Sequence, residues 1–181
     1  MKKYITYLSF LLVLIACGEP DARRPLTKSS GTFFKESVAR NQKILEKEQQ
    51  MFMQVFKRDS ISNYIASESG FWYVYQVKDS LSELSPITDD VVTLQYELRD
   101  LNNRVIYSKE EVGTVKYKVD KENILTQGLR EGVKLMKAGE TATFYLPSSL
   151  AYGYHGDDQR VGVNVPLIAT VSLKEITKQK P

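Results

Sequence analysis

Polar and apolar positions divide the chain into stretches of different period. From Phe34 to about Tyr64 there is neither Gly nor Pro, and Val38, Ile44, Leu45, Met51, Phe52, Val55, Phe56 and Ile61 recur at helical spacings among Lys, Glu and Gln. This pattern predicts one long amphipathic helix, with a break near Asp59. Downstream the period changes to two. Phe71 to Val77 is a β-prone run, Val91 to Arg99 a second, and Asn102-Asn103 turns the chain into a hairpin partner at Arg104 to Tyr107. Val115, Tyr117 and Val119 alternate with Lys116 and Lys118, which predicts a strand with one wet face.

The stretch from Ile124 to Gly156 holds the most information. Leu129, Val133, Leu135 and Met136 give a short helix one apolar face, and Gly139 stands where a residue of positive φ would end it. Thr141, Thr143 and Tyr145 then alternate with Ala142, Phe144 and Leu146, as in a half-buried strand. A loop of Tyr, Gly and Asp leads to a last strand, Leu167 to Ile176. One short helix among antiparallel strands is an α+β arrangement.

At the start, Lys2 and Lys3 precede an apolar run, Leu8 to Ala16, too short to span a bilayer and shaped like a secretory signal. The run ends Leu14-Ile15-Ala16-Cys17, which resembles the bacterial lipobox, whose cysteine is acylated and becomes the first mature residue. The other reading is an incidental cysteine after an ordinary signal. Several acyl chains at about 0.8 kcal/mol per buried methylene would hold the protein on a membrane. The expected organisation is therefore a signal peptide (1–16), a flexible tether (17–32), a helical arm (33–67) and one domain (68–177). Gly18-Glu19 after the cysteine weakly favours the outer membrane. The arm either docks a partner or a second copy, or packs its stripe on the domain as core.

Composition narrows the functions. The net charge of +3 rests on 25 basic and 22 acidic side chains, and removing Lys2 and Lys3 with the leader leaves 23 against 22. No basic run interleaves with aromatics, so a nucleic-acid partner is not expected. A single cysteine and a single histidine exclude a disulfide framework, a zinc cluster and a Cys–His nucleophile pair within one chain. No phosphate loop, metal spacing or cofactor motif appears. What remains is a pocket of apolar and aromatic side chains. In the late loop, Asp157, Asp158 and Arg160 read as a wet tip and His155 as a solvated residue.

Gln127-Gly128-Leu129-Arg130-Glu131-Gly132-Val133, then Met136, Gly139-Glu140 and Leu150-Ala151-Tyr152-Gly153, resembles the FK506-binding protein (FKBP) type of peptidyl-prolyl isomerase. Val91 to Tyr96 matches a strand of that family, and Asn164 to Ile176 its closing strand, so the likeness runs from about Gly70 to Ile176. With lipobox and helical arm, the chain is most similar to gliding-motility-associated isomerase lipoproteins. The resemblance implies an antiparallel half-barrel sheet wrapped on one short helix, and a folding factor of the cell envelope acting on X-Pro bonds of exported proteins. It implies no cofactor.

Carried over residue by residue, the resemblance makes Tyr96 a pocket wall and Tyr152 the flap tyrosine whose hydroxyl meets the substrate carbonyl. The backbone N–H after Leu125, that of Thr126, falls where the family's ligand-holding amide sits. Leu129 replaces the tryptophan of the pocket floor, Ile106-Tyr107 a Phe-Asp pair, Val115 and Ala169 two phenylalanines, and Val161 the isoleucine of the late loop. The family's aromatic pocket is thinned and its carboxylate is absent, unless Tyr107 and Tyr154 refill the space. The alternative is a binding or chaperone subunit of a membrane-associated machine that has kept the fold and lost most turnover.

Overall fold

Period-two stretches flanking one short helix fold as an antiparallel sheet, because alternation gives each strand one apolar face for the helix to cover. The computed structural model describes residues 31–59, 63–79 and 84–179. The signal segment, Cys17 and the tether up to residue 30 lie outside the described residues, as does Ile61. The predicted amphipathic helix is α1, Gly31–Arg58, which begins inside the stretch expected to be tether. The strands are β1 (Ile65–Ala66), β2 (Trp72–Val77), β3 (Val91–Arg99), β4 (Val105–Tyr107), β5 (Val115–Lys118), β6 (Thr141–Leu146) and β7 (Leu167–Thr177). Between them lie α2 (Lys109–Val112), α3 (Gln127–Val133) and a 3₁₀ turn at Ser148–Leu150. Strand β1, α2 and the 3₁₀ turn are too short to leave a periodic signal.

All pairings are antiparallel, in the order β1-β2-β6-β7-β3-β4, with β5 sharing the outer edge of β3. The inner face packs on α3: Leu129, Val133 and Met136 meet a core with Leu94, Leu98, Tyr117, Phe144, Val171 and Leu173. Helix and sheet approach closely at two glycines. A Cβ on Gly128 would lie 2.7 Å from a Leu146 methyl, and one on Gly132 2.8 Å from the Phe144 ring. Their i, i+4 spacing puts both on the face turned to β6. Helix α3 ends earlier than its apolar spacing suggests: Lys134 is the C-cap, and Leu135 is exposed. Gly139 has φ +87° but caps no helix. It donates its N–H to Leu173 O (2.7 Å) in the turn that leads into β6.

Strand β6 is buried on both faces along nearly its whole length, not on one. The cause is α1. Glu48, Phe52, Val55 and Phe56 fall on one helical face, and the last three pack over Tyr145 and Ile168 on the sheet's outer surface with Tyr64, Trp72, Val74 and Leu101. Phe52 is fully buried, 5.5 Å from the Trp72 ring centre, while Phe56 lies edge-on to Tyr145 at 5.0 Å and stacks on Tyr64 at 3.9 Å. That burial pushes the Tyr145 hydroxyl pKa up. Glu48, 3% exposed, accepts the backbone N–H of Ser148 at 2.9 Å, a bond spanning a hundred residues. Of the two roles open to the stripe, its C-terminal half is core.

Candidate active site

The period of β3 sets the first two walls. Tyr96 and Leu98, two residues apart, face the same side, and the register opposes Leu98 to Tyr107 of β4. Ser108 then caps α2 with a reciprocal box: its Oγ accepts from Glu111 N–H, and a Glu111 carboxylate oxygen accepts from Ser108 N–H. This fixes Val112 beside Tyr107. From the opposite side comes the flap after β6, in which Ala151 and Gly153 both donate backbone N–H groups to Ser148 O and so orient Tyr152 between them. Tyr96, Leu98, Tyr107, Val112, Tyr152, Asp157 and Gln159 line an open cavity of ≈ 400 Å³. That volume lies within the roughly 300–1,000 Å³ of small-molecule sites.

In the late loop Asp158 and Arg160 are exposed, as expected of a wet tip, but Asp157 is only partly exposed. Asp157 Oδ1 accepts three backbone N–H groups, from Gln159 and Arg160 at 2.9 Å and Val161 at 2.7 Å, and Oδ2 accepts the Tyr107 hydroxyl. Gly156 makes the turn at φ +74°, where a Cβ would lie 2.3 Å from Val161 O. Arg160 sits over the Tyr107 ring at 4.9 Å, donates to Ile106 O (2.8 Å), and pairs with Glu111 at 2.9 Å. Tyr107 and Asp157 thus join the wall to the flap. Asp157 brings a carboxylate to Tyr107 from across the pocket.

Electrostatics sort the three tyrosines. Burial is the main cause that raises the Tyr152 pKa to about 12, helped by Tyr96, Asp157 and Tyr107. Burial also raises Tyr96. Both stay protonated at neutral pH, and neither hydroxyl has a hydrogen-bond partner among the described residues, so both can donate to a ligand carbonyl. Tyr107 is raised chiefly by its bond to Asp157. At Asp157, burial pushes the pKa up, but the bonds from Tyr107 and the three N–H groups outweigh it and the net shift is down.

Of the residues singled out in the sequence, Tyr96, Tyr107 and Tyr152 converge on the cavity. Leu125, Leu129, Val161 and Ala169 are sealed in the core, Val115 packs against it, and none of the five lines the cavity. Ile106 alternates with Tyr107 and lines a separate hollow with Val165 and Arg160. Tyr154, 70% exposed, does not refill the pocket, and its ring meets exposed His155 at 5.6 Å. Thr126 forms the N-cap of α3 without a side-chain bond; its N–H donates to nothing among the described residues and its buried Oγ1 has no partner. The sequence assigns no site role to Leu98, Val112 or Gln159, and reads Asp157 as part of a wet tip. Period two from Tyr96 points to Leu98, and Asp after Gly points to a turn at Asp157. Among the described residues no group of three His, Cys, Asp or Glu side chains forms a metal site, and no helix is long and apolar enough to cross a membrane.

Residues 83–174 match the family model of the FKBP-type peptidyl-prolyl cis-trans isomerases. Over 103 residues the chain is 36% identical to a probable FKBP-type isomerase, FkpA, of Neisseria meningitidis, a match that covers 56% of this chain and 37% of that protein. Over 108 residues it is 32% identical to the isomerase Mip of Coxiella burnetii, covering 58% of this chain and 45% of that one. The matched region thus spans less than half the length of either relative. The fold is similar to that of FkpA from Escherichia coli, with a TM-score of 0.59 at 19% identity, over 96% of this chain and 82% of that one. A peptidyl-prolyl isomerase from Pseudomonas syringae gives a TM-score of 0.61 at 15% identity, over 76% of this chain and 96% of the other. With its short helix in an antiparallel sheet and its tyrosine-walled pocket, the chain belongs to the FKBP-type peptidyl-prolyl cis-trans isomerase family.

Proposed function

We propose that this protein rotates X-Pro amide bonds of exported proteins at the cell envelope. The observation that carries the reading is the convergence of Tyr96, Tyr107 and Tyr152 on one ≈ 400 Å³ cavity, in a chain of this family. The barrier to rotation comes from amide conjugation, and the spontaneous reaction takes about tens to hundreds of seconds. No proton need be transferred. The twisted amide has lost its conjugation and tolerates a dry aromatic pocket better than the planar ground state does, so the walls favour the transition state. The Tyr152 hydroxyl, held protonated, donates to the carbonyl beside the proline, and the Thr126 N–H is available to a second carbonyl.

The test is a proline-isomerisation assay on the full-length chain with several X-Pro peptides. Tyr152→Phe is expected to lower kcat/KM about tenfold or more, the value of a hydrogen bond strengthened in the transition state. A rate equal to the uncatalysed one across all peptides would overturn the isomerase reading. Peptide binding without turnover would favour the alternative, a binding subunit; the aliphatic Leu129, buried, and Val115, partly buried, where the resemblance places aromatic walls, support it.

A lipid anchor on Cys17 places the site at a membrane surface in this reading, and it rests on Leu14-Ile15-Ala16-Cys17. Metabolic acyl labelling that survives Cys17→Ser would remove it. Likeness to gliding-motility-associated lipoproteins extends the proposal to clients of a motility machine, and normal gliding in a deletion strain would remove that part.

A further inference from the structure

A second groove, of ≈ 520 Å³, runs between α1 and the flap and shares no lining residue with the tyrosine pocket. Its apolar walls are Val38, Ile44 and Leu45 from the helix and Tyr154 from the flap. Glu48 is the one charged residue that lines it. The two oxygens of that carboxylate are in different states. Oε2 holds the Ser148 N–H at 2.9 Å, whereas Oε1 is buried and has no hydrogen-bond partner among the described residues. A buried carboxylate oxygen without a donor is costly, and no cation of the lining offers one. Val38, Leu45 and Tyr154 are meanwhile 39%, 38% and 70% exposed, so the apolar rim is open.

We propose that this groove binds an extended peptide segment in which a lysine or arginine stands between apolar residues. A turn of the Glu48 side chain brings its carboxylate to the cation, whose methylene stem lies along Ile44, and the neighbouring side chains cover Val38, Leu45 and Tyr154. Charge complementarity selects this occupant, since the groove offers one negative group among neutral ones. The site also adjoins the flap: Ser148, whose N–H is bound by Glu48, accepts the Gly153 N–H through its carbonyl, next to Tyr152. A segment bound there sits one turn from the tyrosine pocket, where it would hold a client by sequence other than its proline.

The test uses the full-length chain and a capped, fluorescent, proline-free pentapeptide, Leu-Val-Lys-Leu-Val, beside a twin with norleucine in place of lysine. Without proline the probe reports on this groove whether or not the chain is an isomerase. Fluorescence anisotropy should show the lysine peptide binding about tenfold or more tightly than its twin, as a charge-assisted bond to a desolvated carboxylate requires. Glu48→Gln keeps an acceptor for Ser148 N–H and removes the charge, and should bring the two peptides to within about twofold. Leu45→Lys, on an exposed helix position, should weaken the lysine peptide about tenfold while leaving the unfolding transition in place. Equal affinities of the peptide and its twin, no binding of either, or a lysine preference that survives Glu48→Gln would each overturn the proposal. Where Glu48→Gln does not fold, the twin comparison and Leu45→Lys decide it alone.

Discussion

Removing the Tyr107 hydroxyl tests how the pocket is held together. Tyr107→Phe deletes one hydrogen bond to a carboxylate, a class of bond worth about 1.5–3 kcal/mol when buried; both groups here are partly exposed, so about 1 kcal/mol is expected. Asp157→Ala deletes the acceptor of that bond and of three backbone N–H groups, and should cost about 3 kcal/mol. With Asp157 already gone the hydroxyl has no partner, so the double variant should be no worse than Asp157→Ala, and the cycle should give a coupling of about 1 kcal/mol. Two readouts apply: urea unfolding for the whole domain, and hydrogen exchange of the Arg160 and Val161 amides for opening of the loop alone. Faster exchange at those amides in Tyr107→Phe is the direct signature. Strict additivity of the two substitutions, within about 0.3 kcal/mol, would refute the link between wall and flap.

Phe52→Ala should cost about 3–5 kcal/mol, because the ring is fully buried among Phe56, Trp72 and Tyr145, and urea unfolding should remain a single transition. A loss under about 0.5 kcal/mol would mean that α1 does not support the sheet. Acid should destabilise through Asp90 and Asp157. At Asp90 burial raises the pKa, but the Ile87 N–H and Lys178 bonds outweigh it and the net shift is down, as at Asp157. A folded pKa below the unfolded one adds stability that is complete above about pH 4 and is lost as pH falls through the folded value. The urea midpoint should therefore be flat from neutral pH down to about 5 and drop below 4, and Asp90→Asn should flatten that drop. A drop of equal steepness in the variant would assign it to other groups.

The domain was legible because its signals are local. Glycines at 128 and 132 leave room for the sheet beneath α3, and alternation marks the strands whatever packs on them. The burial of β6 on both faces was not legible, since it depends on α1 folding back from far away in sequence. Nothing in Thr141 to Leu146 records that a second apolar layer will arrive. The same distance hid Glu48, which reads as one more charge on a Lys/Glu-rich helix until the fold brings Ser148 against it. At the site, matching residues one position at a time found the tyrosines and lost the carboxylate. An acid on a distant loop that pairs with a wall residue leaves no trace in a position-by-position comparison.

The bond from Tyr107 to Asp157 divides the roles of the three tyrosines. Tyr107 commits its hydroxyl to Asp157, and its ring lies under Arg160, so it contributes a wall and not a donor. Tyr96 and Tyr152 keep their hydroxyls free among the described residues, and both are protonated at any physiological pH. In the proposed isomerase reading, donation to a substrate carbonyl would fall to Tyr96 or Tyr152, and of these only Tyr152 is carried on the flap. Loss of the Tyr107 hydroxyl should act through loop position and raise KM, since a displaced wall weakens substrate and transition state alike. Loss of the Tyr152 hydroxyl should instead lower kcat, because its bond strengthens as the amide twists. The same atom removed from two rings of one pocket thus separates architecture from chemistry.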